Sequence, residues 1–215
     1  SVIIPRRDPP DRAGNRDGRA VVSGNRARSE LDDEALIKLA QRGDTSAFEE
    51  LVQRYQEPAF RAAYLVLHDA PEAEDAAQDA FVKAFRAIGR FRAGSMRPWL
   101  LKIVMNESLN RLKSRKRRAA VIERAAGQST PGGWTLDDAV IGRERAALLR
   151  QALEALREQE RTVLYLRYFL MLSEQELAEY LGCAPGTVKS RLHRALGKLR
   201  EVVAASYPGL IAEGV

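Results

Sequence analysis

The stretch LSEQELAEYLGCAPGTVKSRLHRALGKLR (172–200) admits very few folds. Ser173 and Glu176 stand three apart, the spacing at which a hydroxyl and a carboxylate cap a helix's first turn reciprocally. Leu177, Tyr180 and Leu181 then share one helical face. Gly182 supplies the residue that accepts a left-handed backbone at a helix end. Cys183 falls in the tight turn as a small apolar residue. Pro185 suits the first position of a second helix, although Ala184 before it is a poor cap. The layout is a helix-turn-helix.

The second helix has two chemically different sides. At about 100° per residue, Val188, Leu192, Ala195, Leu196 and Leu199 fall together. Ser190, His193, Arg194 and Gly197 lie opposite, flanked by Lys189 and Lys198, with Arg191 nearer the buried edge. A helix that is basic on one side fits the major groove, where cations reach guanine edges. Thr187, Lys189, Ser190, Arg191, His193 and Arg194 are therefore the candidate duplex-DNA contacts. His193 has no Cys or His near it, so it is a base or phosphate contact and not a metal ligand.

Helical spacing also governs the earlier part of the chain. Leu36, Leu39 and Ala40, then Phe48, Leu51, Val52 and Tyr55, recur at intervals of three and four, with Asp44 placed as an N-cap and Pro58 as a soft interruption. A third helix spans DAPEAEDAAQDAFVKAFRAI. A fourth spans RPWLLKIVMNESLNRLKSRKRR, with Pro98 near its start. No segment alternates in the β-branched fashion of a strand. The expected fold is all-α: a basic, unstructured arm (1–30), a helical bundle (31–118), a flexible linker (119–140), a helix-turn-helix domain (141–207) and a tail (208–215).

Charge sharpens this division. The chain carries a net charge of +6, but residues 31–90 hold seven cations against twelve carboxylates and residues 91–130 hold ten against two. A simple nucleic-acid binder needs no acidic half, so two kinds of partner are expected. One Cys and two His give no disulfide and no zinc spacing. Without a Cys/His pair or a phosphate-cradling glycine loop, no enzyme, cofactor, metal or small-molecule substrate is expected. The absence of a long apolar run points to a cytoplasmic chain with no membrane insertion.

The segment from Arg161 to Arg200, together with EDAAQDAFVKAF (74–85) and FRAGSMRPWLLKIVMNESLNRLKSRKRR (91–118), resembles the extracytoplasmic-function (group IV) sigma factors of bacterial RNA polymerase. The resemblance implies a transcription initiation factor, against the alternative of a helix-turn-helix regulator that binds duplex operators without joining polymerase. It implies that Asp75, Gln78, Asp79, Val82 and Arg86 dock on the clamp coiled coil of the polymerase largest subunit. It implies that Arg92, Ser95, Trp99, Lys102, Asn106, Asn110, Lys113 and Arg115 hold the unpaired −10 strand, one base flipped into a pocket formed by loop 91–96. An indole beside amides and cations suits that task physically. The tract RLKSRKRR (111–118) is expected to grip phosphates without reading sequence.

Residues 187–194 are implied to read the −35 duplex while their domain sits on the polymerase flap, and a separate anti-sigma factor is implied as regulator. The chain reads SMRPW where many members carry a Thr or Ser-Phe pair before the Trp, so no base preference carries over. After Arg124 the linker offers only Asp137 and Asp138 as acids.

Overall fold

A computed structural model describes residues 31–92, 94–125, 140–207 and 210, with side chains described except at 120–125 and 140–144. The amino-terminal arm, the centre of the linker and most of the tail lie outside the described residues. Eight α-helices and no strand occur among those described.

The first module contains α1 (Asp33–Gln41), α2 (Thr45–Leu67), α3 (Ala70–Ala87), a 3₁₀ turn at Ile88–Arg90, and α4 (Met96–Ala125). Three aspartates start three of these helices. Asp32 accepts from the Ala35 amide at 2.8 Å, Asp44 from Ala47 at 3.2 Å and Asp69 from Glu72 at 2.9 Å. Each satisfies an amide that the first turn leaves without a partner. α2 runs unbroken past Pro58.

Alanine dominates the contact between α2 and α3. Ala59, Ala62 and Ala63 on one helix, and Ala73, Ala76, Ala77, Ala80 and Ala84 on the other, are all buried. Such short side chains let helix axes approach closely. Phe48, Leu51, Leu67 and Phe81 fill the remaining volume with Leu100, Leu101, Val104 and Met105 of α4. Ser108 sits in this apolar setting, its hydroxyl donating to the Val104 carbonyl at 2.8 Å.

The second module holds α5 (Val140–Glu154), α6 (Glu158–Leu164) with a π-turn at Tyr165–Phe169, α7 (Glu174–Leu181) and α8 (Pro185–Ser206). Its caps follow the sequence signals. Ser173 Oγ accepts from the Glu176 amide at 3.1 Å while Glu176 accepts from the Ser173 amide at 2.8 Å. Gly182 ends α7 at φ 61°, and Ala184 provides no side-chain cap.

Two features depart from the sequence expectation. α4 continues to Ala125, into the interval expected to be linker, because AAVIERA is built mostly of good helix formers. The two modules also share one continuous body of buried side chains, from Leu36 in α1 to Ala195 in α8. A linker reading alone contains no such contact.

Candidate nucleic-acid and polymerase interfaces

The amino-terminal half of α8 is the most direct candidate. Val188, Leu192 and Ala195 are buried against the module, which turns Lys189, Ser190, Arg191, His193 and Arg194 to solvent; Thr187 is half-buried. Leu196 and Leu199 pack more loosely on the same core. Ser190 Oγ donates to the Thr187 carbonyl at 3.0 Å, and Arg194 Nε donates to the Ser190 carbonyl at 3.2 Å. Lys189 Nζ lies 3.7 Å from Glu174 on the neighbouring helix. Arg191, expected near the buried edge, is exposed with the rest. Five exposed groups, three of them Lys or Arg, thus project from one side of a helix fixed by its apolar side.

α4 presents a second face. Lys102, Asn106, Asn110 and Lys113 are exposed along it, and Arg92 is exposed before it. Trp99 is half-buried, packed on the core, with its ring 5.2 Å from Phe91 in an edge-to-face contact. One edge of the indole is therefore fixed before any partner arrives.

The basic tract within α4 (111–118) divides in two. Arg111 turns back onto α3, ion-paired with Asp79 and lying 4.0 Å from Asp75. Arg115 bonds Glu72 at 3.0 Å and the Leu67 carbonyl at 3.2 Å. Lys113 points the other way, 3.2 Å from Glu158 on α6. Lys116, Arg117 and Arg118 are exposed. Two of the six cations, Arg111 and Arg115, thus fasten α4 to the acidic bundle.

On α3, Asp75, Gln78, Asp79, Val82 and Arg86 all lie on the exposed side, Val82 with 41% of its surface accessible. Phe85 joins them at 36%, its ring meeting Phe48 edge-on at 5.0 Å. The sequence signal for Phe85 is its position three residues after Val82. Together they make an apolar strip beside carboxylates, a composition suited to protein contact.

Loop 91–95 holds the contacts that sequence reasoning missed. Gly94 has φ +103°, a conformation that disfavours any side chain, and a Cβ there would stand 3.2 Å from Glu179 Oε2. The same Glu179 carboxylate, on α7, accepts from the Ser95 amide at 2.9 Å. Arg97 donates to the Leu170 carbonyl and reaches Glu176 at 3.5 Å. Glu176 therefore caps its own helix and meets the first module at once, and its capping role hides the second. At the other end of the interface His68, left-handed at φ 58°, places Nε2 3.2 Å from Glu154. Burial holds its imidazole below the ordinary pKa, although Glu154 and the Tyr64 carbonyl act in the opposite sense. Beside it an apolar cavity of about 360 Å³ opens among Tyr64, Leu65, Leu149, Leu153, Tyr165 and Phe169.

A helix-turn-helix with a solvent-facing cationic ridge, joined to a bundle with an aromatic-amide face and an acidic flank, defines a protein that works between nucleic acid and another protein. Residues 51–118 match the model of sigma-70 region 2, and residues 146–199 match that of sigma-70 region 4. RNA polymerase sigma-H factor of Pseudomonas aeruginosa is 37% identical over 190 residues, covering 84% of this chain and 96% of its own. The ECF RNA polymerase sigma factor SigW of Bacillus subtilis is 32% identical over 174 residues, covering 77% and 93%. Among solved structures, CnrH in complex with the cytosolic domain of CnrY is similar at 28% identity and TM-score 0.59, over 81% of this chain and 98% of that one. The sigma factor RpoE from Bartonella quintana, in complex with the anti-sigma factor NepR, aligns at 25% identity and TM-score 0.52, over 74% and 99%.

The chain belongs to the extracytoplasmic-function sigma factors of the sigma-70 family. It is a polymerase-binding transcription initiation factor and not a stand-alone regulator. No helix among the described residues is long and apolar enough to cross a membrane.

Proposed function

We propose a division of labour among the three faces. Thr187, Lys189, Ser190, Arg191, His193 and Arg194 read the −35 duplex. Arg92, Ser95, Trp99, Lys102, Asn106, Asn110 and Lys113 capture the unpaired −10 strand, with Arg115 bracing the helix that carries them. Asp75, Gln78, Asp79, Val82 and Arg86, together with Phe85, dock on the clamp coiled coil of core polymerase, and the second module engages the flap.

The observation that carries this reading is the difference in chemistry between the exposed faces. α8 offers cations with a hydroxyl and an imidazole, which suit groove edges and phosphates. α4 offers an indole edge-locked by Phe91, with amides and cations along the helix. Those are the groups that stack and hold single-stranded bases. Bases captured there would offset part of the few kcal/mol that each extruded base costs.

The reading places the protein in the cytoplasm, at the nucleoid. It also gives the chain an anti-sigma partner, as the sigma factor RpoE from Bartonella quintana has in NepR.

The primary test is association with sigma-free core polymerase, followed by run-off transcription from a supercoiled genomic library. Discrete start sites are expected; absence of both association and defined starts would overturn the reading. A second measurement isolates α8. Lys189→Ala combined with Arg194→Ala is expected to weaken −35 duplex binding and to lower the slope of log affinity against log salt by about two, one for each phosphate-neutralising cation removed. An unchanged slope would remove those two residues from the duplex interface.

A further inference from the structure

Gln41 is the last residue of α1, and its side chain is exposed. Its carboxamide nitrogen has two hydrogens, and both are used across a long sequence separation. Nε2 donates to the Ile88 carbonyl at 3.0 Å and to the Phe91 carbonyl at 2.8 Å. These two carbonyls bracket the 3₁₀ turn from which loop 91–95 departs. The Phe91 amide already donates to the Ile88 carbonyl at 3.0 Å, so Ile88 serves both the turn and the clamp.

We infer that Gln41 is a positioning residue for −10 recognition: its carboxamide fixes the exit of the 3₁₀ turn, and through Phe91 sets the loop and the indole of Trp99. The inference rests on the reading of loop 91–95 and Trp99 as the strand-capturing face. A general fastening role for Gln41 explains less, because α1 is already attached elsewhere. Leu36, Ile37 and Ala40 are buried, and Asp33 receives Tyr55 and Arg54 from α2, the latter at 3.0 Å. Gln41 adds no buried apolar surface to that attachment. What it adds is direction, since a two-donor clamp on two carbonyls defines where the next residues go. Phe91 transmits it, because the residue whose carbonyl Gln41 holds is the one whose ring holds Trp99.

The test uses full-length chain assembled with core polymerase. Gln41→Met keeps the length and removes both donors; Gln41→Ala removes the side chain. Three quantities are read: open-complex formation on promoters carrying each base in turn at every −10 position, affinity for the −35 duplex, and thermal melting. Both variants are expected to lose about tenfold in open-complex formation on the best promoter, as two modest hydrogen bonds would give. They should also flatten the base preference at the flipped position, leaving duplex affinity within about twofold and melting within a few degrees.

Equal loss in all three quantities would overturn the inference in favour of a purely structural role. Unchanged open complexes and base preference would overturn it outright. Trp99→Ala, run in parallel, separates the two levels. If it impairs opening and the Gln41 variants do not, only the positioning inference fails. If Trp99→Ala leaves opening intact, the reading of the whole face fails with it.

Discussion

Trp99→Ala is expected to reduce open-complex formation roughly 10- to 100-fold, while binding to an isolated −35 duplex changes by no more than about twofold. Base stacking on an aromatic side chain contributes about 1–3 kcal/mol per base when tested by alanine substitution. Trp99 is half-buried with one edge against Phe91, so truncation also removes packing and melting should fall measurably. That loss acts on the whole molecule, whereas the predicted defect is confined to strand separation. Permanganate reactivity of unpaired thymines on a supercoiled promoter distinguishes the two. Asn106→Ala should follow the same pattern more weakly, because Asn106 is exposed and contributes little to the core. Parallel losses in duplex binding and opening would show that the indole serves the fold and not the strand.

The second large effect runs in the opposite direction. Glu179→Ala combined with Glu176→Gln should let the full-length chain bind a single-stranded −10 oligonucleotide about tenfold more tightly than the wild type in the absence of polymerase. Glu179 occupies the Ser95 amide and crowds Gly94; Glu176 faces Arg97. One carboxylate thus stands against the loop that the reading gives to a nucleic-acid strand, and the other against the first turn of α4 beside it. Glutamine at 176 preserves the capping box, so α7 should remain intact. A hydrogen bond with one charged partner contributes about 1.5–3 kcal/mol. The contact at Ser95 is exposed, and solvent screening reduces that figure here. The buried side chains shared by the modules still favour the closed arrangement, which limits the gain. Fluorescence anisotropy of a labelled oligonucleotide reads the effect directly. Identical affinities would mean that the two glutamates do not guard the loop.

Local signals gave most of the helical architecture. Ser173 with Glu176, Gly182, Pro185 and Asp44 each act within a turn or two of backbone, and each took its expected place. The buried faces of α3 and α8 were legible for the same reason. Ala77, Ala80, Phe81 and Ala84 on α3 with Ile88 just beyond it, then Val188, Leu192 and Ala195 on α8, recur at helical spacing and are buried. The candidate residues on α8 and α3 could be named because exposure is the complement of those stripes.

The rest depends on partners distant along the chain. Arg111 and Arg115 belong to a uniformly basic tract, and only the position of α3 decides that they meet Asp79 and Glu72 while Lys113 meets Glu158. Gln41 and Phe91 are separated by fifty residues, Ser95 and Glu179 by eighty-four. Periodicity reports which side of a helix is apolar, but not which neighbour the polar side will face. The sequence by itself therefore determined the helices, their caps and their faces, because those follow from backbone geometry and side-chain type within a few residues. Tertiary packing alone decided which cations are spent on the protein's own carboxylates and what stands over loop 91–95, because hydrogen bonds and ion pairs require atoms to be brought within about 3–4 Å.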